Sequence, residues 1–208
     1  MNKIPIFAAL IVFGIFALGG CGQSGADNAS FTGVWNGEDE NGISGAKDTQ
    51  RVTVMTDGNG FKITTEDPTG ESIAAYNGET LYRKFTPSPT PAGSTESAPE
   101  PAQALTDQSE TASKMKTMPL RFWTRTYEGK GVPGGQVAGQ DTILYQAREN
   151  RPDGDIIAQA WVDAKTGVVL KSVDTIYSKQ VDSMVSKVSR TCESIQYGPV
   201  DKSAFAKP

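Results

Sequence analysis

Among its 208 residues the sequence has no histidine and only two cysteines. Without an imidazole, Ser-His-Asp and Cys-His catalysis, histidine-ligated zinc and a histidine pH switch are excluded. Charge is sparse as well, at 21% of residues with a net charge of -4. The basic face that marks a nucleic-acid protein is therefore missing, and no nucleic-acid partner is expected. What the chain does have is small and conformationally special residues, Gly 22 and Pro 12, which mark many turns. These balances describe a small non-catalytic module that needs no cofactor and no metal.

The longest apolar run is at the start. Met1-Asn2-Lys3 carries one positive side chain, and Ile4 to Leu18 is then almost wholly apolar. A helix over those residues would reach ~22 Å, short of the ~30 Å hydrocarbon core of a bilayer. The layout is that of a secretory signal peptide over residues 1–20. The run ends Leu18-Gly19-Gly20-Cys21, which resembles a bacterial lipobox. That likeness implies cleavage before Cys21 and a diacylglyceryl thioether on its sulfur, with palmitate-type chains holding the protein on a membrane. One chain anchors only marginally, whereas two or more anchor stably. Gly22 stands where many Gram-negative lipoproteins kept in the inner membrane have Asp. The resemblance therefore implies an exported, lipid-anchored envelope protein. It would sit on the periplasmic face of the outer membrane in a Gram-negative cell, and otherwise on the outer face of the cytoplasmic membrane. With Cys21 lipidated, Cys192 has no partner within the chain and reads as a small apolar filler on a strand.

Residues 21–30 read as a lipidated flexible tether, small and polar from Gly22 to Ser30, nine residues that span roughly 17 Å. Asn28-Ala29-Ser30 matches a glycosylation pattern by coincidence only. From Phe31 onward the chain reads as short strands: Gln50–Thr56, Phe61–Thr65, Ile73–Tyr76, Leu81–Phe85, Leu120–Tyr127, Asp141–Arg148, Ile156–Val162, Val168–Tyr177 and a last strand ending near Tyr197. Turn signals separate them, among them Asp57-Gly58-Asn59-Gly60, Asp67-Pro68-Thr69-Gly70, Asn77-Gly78 and Asp163-Ala164-Lys165-Thr166-Gly167. The first of these faintly suggests a calcium loop but lacks the later ligands, so it reads as a turn. Residues 86–102, with five prolines, read as a disordered or extended insert. Asp107 to Met118 predicts a short helix opened by an Asp107/Glu110 capping box. Glu128 to Gly139 reads as a mobile loop. Val181 to Cys192 fits both helical and strand spacing. Asp153, Asp155 and Glu149 could be offered as paired catalytic carboxylates, but their Pro- and Gly-rich setting predicts solvated turn residues.

Two segments carry a family resemblance. One is Trp161-Val162-Asp163-Ala164-Lys165-Thr166-Gly167 followed by an apolar strand. The other is Tyr197-Gly198-Pro199 with Asp201, Phe205 and Pro208 behind it. Together they resemble the superfamily of lipoprotein carriers named for LolA and LolB, which includes RseB-like stress sensors. The resemblance covers residues 31–208 as a single domain interrupted by the Pro-rich insert. It implies a mainly β (α+β) fold: an unclosed antiparallel β-barrel of about ten strands, with one or two short helices covering its concave face. It also implies an apolar cavity that takes a lipid or an acylated lipoprotein, or else a non-catalytic sensor that acts through an envelope protein partner. By alternation the cavity candidates are Val52, Val54, Phe61, Ile63, Ile73, Phe122, Ile143, Tyr145, Ile157, Trp161, Val168 and Leu170.

Overall fold

A computed structural model describes residues 29–88, 103–105 and 130–208. Cys21, the signal segment, residues 89–102, the expected helix at 107–118, and the expected strand at 120–127 with Phe122 lie outside the described residues.

The strands are β1 (Phe31–Asn41), β2 (Lys47–Thr56), β3 (Phe61–Asp67), β4 (Gly70–Tyr76), β5 (Leu81–Pro87), β6 (Gln103–Leu105), β7 (Val132–Val137), β8 (Gln140–Asn150), β9 (Gly154–Asp163), β10 (Val169–Ser178) and β11 (Ser183–Tyr197). They form one sheet in the order β6-β5-β4-β3-β2-β1-β11-β10-β9-β8-β7. Each described pairing is antiparallel. Both edges, β6 and β7, are unpaired with one another, so the barrel is open. The chain thus runs as a meander from β1 outward to one edge. It then builds the other half inward from β7 and closes β11 against β1.

One local device makes most of the hairpins. A short Asx side chain accepts amide hydrogens two and three residues on, which turns the chain without cost to the ladder. Asn41 Oδ1 accepts from the amides of Ile43 and Ser44 at 3.0 Å each. Asp57 Oδ1 accepts from those of Asn59 and Gly60 at 2.9 and 2.6 Å. Asp67 does the same for Thr69 and Gly70, and Asn77 for Glu79 and Thr80. The Asp57 carboxylate is thus engaged by its own turn, as the turn reading requires.

Paired residues on neighbouring strands point to the same face. The register therefore puts Phe31 and Trp35 with Val52, Val54 and Thr56, then Phe61, Ile63, Ala74, Tyr76, Leu81 and Arg83 on one face. Through β11 the same face continues to Cys192 and Arg190, then Ser172, Ala160 and Tyr145. This face is concave. In a flat sheet β7 would lie about 19 Å from β11, four strand spacings away. Instead the two strands come into contact, and Val137 and Ala138 pack on the core that holds Phe31 and Trp35.

The buried core occupies one end of this inner face: Phe31, Trp35, Val54, Phe61, Leu81, Val168 and Leu170 are fully or almost fully buried. Phe31 meets Trp35 and Tyr197 edge-on, with centroids 6.1 and 6.2 Å apart. Trp35 reaches across β11, and its Nε1–H donates to the Val169 carbonyl at 3.2 Å. Its ring lies over Gly33, where a Cβ would stand 2.6 Å from ring carbons. The opposite end of β1, β2 and β3 is polar, with Glu38, Glu40, Lys47, Asp48 and Glu66.

Three sequence expectations are corrected. The loop expected over 128–139 contains a strand, β7, despite Pro133, Gly134 and Gly135. As an edge strand it needs no amide on its outer side, and its register shifts at Pro133 to Gly135. Thr86 and Pro87 belong to β5 rather than to the insert. The ambiguous 181–192 segment resolves as strand β11 because both its neighbours supply a ladder. Among the described residues the one helix is a 3-10 turn, Lys202–Phe205. It lies against β3 at the end of the sheet and does not cover the concave face. Asp201 caps it through the Ser203 amide at 2.9 Å, and buried Phe205 lies over Gly60.

Candidate functional site

At the other side of the inner face, toward the β6 edge, the side chains become smaller and the packing opens. Between β3, β4, β5 and β6 lies a concave pocket of about 470 Å³. Ile63, Ala74 and Phe85 give it an apolar floor, and Thr65, Ser72 and Gln103 add neutral polar groups. Arg83 is the charged side chain that the register sets on this face of the pocket. Desolvation by the surrounding strands holds its guanidinium below the usual arginine range, although the residue stays accessible to solvent.

Of the sequence candidates, Ile63 lines this pocket, and Ile73 borders it. Register nevertheless places the Ile73 side chain on the outer face, opposite Thr64 and Lys84. Val52, Val54, Phe61, Val168 and Leu170 share the inner face but pack against one another in the core. Ile143 and Tyr145 stand on the inner face of β8, half-buried, with Tyr145 against Ala160, Val162 and Val169. Ile157 and Trp161 face outward. Ile157 pairs with Thr175 and Arg148, and Trp161 with Leu144 and Lys171, whose Nζ sits 4.5 Å from the indole centroid. Alternation alone does not say which face of a strand is the inner one, and these residues were assigned to the wrong face.

Sequence reasoning missed Ala74, Arg83 and Phe85. Their signal was present: in Leu81-Tyr82-Arg83-Lys84-Phe85, Arg83 and Phe85 share the face of buried Leu81. Phe31-Thr32-Gly33-Val34-Trp35 likewise alternates and would have named the core's two largest rings.

The middle of the concave face is charged. Burial pushes the Arg190 guanidinium down, while the Asp174 and Asp39 carboxylates oppose that shift. At the far end of β8 and β9 two of the three offered catalytic carboxylates are engaged. Asp155 pairs with Arg148 at 2.5 Å and with Lys179 at 3.7 Å, which lowers its pKa, and Glu149 pairs with Arg151 at 3.0 Å. An Asp155 carboxylate held ionised in this way is a poor general acid.

The two segments that carry the family resemblance meet in space. The Asp163 carboxylate, almost fully buried, accepts the amides of Lys165 and Thr166 and a hydrogen bond from the Tyr197 hydroxyl. Thr166 Oγ1 is 2.9 Å from the same hydroxyl. Gly167 turns the chain at φ 76°. The motif thus ties the β9–β10 hairpin to the end of β11. Desolvation, and then the Asp163 bond, raise the Tyr197 pKa.

No family model and no curated protein matches the chain. Solved structures do. A LolA superfamily protein from Nitrosomonas europaea is similar at 13% identity and a TM-score of 0.39, covering 88% of this chain and 94% of that one. A domain titled for outer membrane lipoprotein sorting, from Vibrio parahaemolyticus, gives 10%, 0.33, 86% and 89%. A DUF1329 family protein from Desulfovibrio piger gives 11%, 0.31, 88% and 90%. The class of the protein, an open antiparallel half-barrel with almost no helix among its described residues, rests on its own strand order and register.

Proposed function

We propose that this chain is an exported envelope lipoprotein, anchored through Cys21, that holds a hydrophobic ligand in its open sheet without catalysing a reaction. The observation that carries the reading is the pocket on the inner face. An unclosed, curled sheet packs its core at one end and leaves about 470 Å³ over Ile63, Ala74 and Phe85 at the other. That volume suits a lipid-sized guest, since ligand sites commonly run ~300–1,000 Å³. The lipobox-like Leu18-Gly19-Gly20-Cys21 supplies the address, and the guest is read as a lipid or an acylated lipoprotein. Nile red, a neutral apolar dye, tests the site by fluorescence titration of the full-length chain. Saturable binding that Ala74→Trp abolishes is expected. Absent binding, or binding indifferent to the tryptophan, overturns the reading. Labelling with palmitate tests the anchor: incorporation should depend on Cys21 and vanish in Cys21→Ser.

A second reading, a sensor-like module that works through an envelope protein, has one observation in its favour. Ile43 and Val181 are 73% and 54% exposed at adjacent hairpin tips, which the Gly42 amide joins by donating to the Val185 carbonyl. A pull-down that survives Ala74→Trp and fails in Ile43→Ser with Val181→Ser would favour it.

A further inference from the structure

The chain has an excess of acidic groups, yet no carboxylate is found among the described residues that line the pocket. Arg83 projects from β5 between Ala74 of β4 and Gln103 of β6. Among the described residues it has no ion pair, whereas Lys47, Arg51, Arg148, Arg151 and Lys179 each have one. Arg83 is itself exposed, so its unpaired guanidinium stands beside the pocket within reach of an anion from solvent. Beside it, Ile63, Ala74 and Phe85 offer a surface that attracts only apolar matter. An unpaired cation beside an apolar floor suits one kind of molecule.

We propose that the pocket selects an amphiphile with an anionic head group, a carboxylate or a phosphate monoester. The Arg83 guanidinium would take the head in a forked pair of hydrogen bonds, with Gln103 beside it, while an acyl chain lies over Ile63, Ala74 and Phe85. Guanidinium suits both head groups because its planar donors match two oxygens at once. The inference rests on the proposed hydrophobic site and adds a head-group requirement to it.

Isothermal titration of the full-length chain with laurate, lauryl phosphate and lauryl alcohol separates the two claims. One or both anions should bind at least tenfold tighter than the alcohol, with the tighter anion naming the head group. Arg83→Gln should weaken the anions about tenfold and leave the alcohol unchanged, which also shows that the variant is folded. Added salt should weaken the anions alone. If all three bind equally and Arg83→Gln changes none, the head-group proposal is overturned while the apolar site stands. If none binds, both fall.

Discussion

Trp35 has no exposed surface, and its indole spans three strands, from β1 over β11 to the Val169 carbonyl of β10. Trp35→Ala should therefore lower unfolding stability by about 3–5 kcal/mol, measured by urea denaturation. Gly33→Ala should cost about 1–3 kcal/mol at the same site, because its methyl group would enter the ring. A loss below 1 kcal/mol in the first variant would show that the indole is not the centre of the core. Cys192, opposite Trp35 in the register, is a free, buried thiol whose pKa burial pushes up to about 12 from an ordinary 9.0. The Tyr197 pKa is raised as well. Both groups stay protonated in the folded chain after they ionise in the unfolded one. Stability is thus complete below about pH 9 and falls as pH rises toward the folded values, by ~1.4 kcal/mol per pH unit for each ionising group. Cys192→Ala combined with Tyr197→Phe should flatten that alkaline decline in urea midpoints. An unchanged slope would contradict the burial argument.

Hairpins are the element that the sequence announces most clearly. Asp57, Asp67, Asn77 and Asp163 were legible as turn residues because the chemistry is local: each side chain bonds amides two and three positions on. Of these, Asp163 alone also binds a distant residue, Tyr197. Asp163→Ala should cost about 2–3 kcal/mol, since it strips a buried hydroxyl and two amides of their acceptor. The exposed turn variant Asp67→Ala should cost less than about 1 kcal/mol. Equal losses would mean that the Asp163–Tyr197 tie contributes nothing. Strand β7 was illegible because its proline and glycines are acceptable only at a sheet edge, and edge position is a property of the whole sheet. Face assignment failed for Ile73, Ile157 and Trp161 for a related reason. Period-two alternation marks two faces but not which of them curls inward, and in β9 the outward side carries the one aromatic ring, Trp161.

At the scale of the molecule, curvature decides what the chain can do. The sheet curls until β7 meets β11, so its inner face is sheltered, and among the described residues the largest buried side chains in that shelter gather near Phe31, Trp35, Phe61 and Leu81. A mainly β antiparallel meander could be anticipated from turn spacing, and the open edge from the family resemblance of the Trp161–Gly167 and Tyr197–Pro199 segments. The pocket could not, because it arises from two small residues of β4, Ser72 and Ala74, sharing one face between Ile63 and Thr65 of β3 and Arg83 and Phe85 of β5. The central claim is that the space beside Ile63 and Phe85 houses an oily guest. Native mass spectrometry of the full-length protein gently extracted from membranes tests it most directly. A non-covalent hydrophobic adduct should accompany the wild-type chain, separate on collisional activation and be missing from Ala74→Trp. A wild-type chain that arrives bare, or a tryptophan variant that carries the same adduct, would contradict the account.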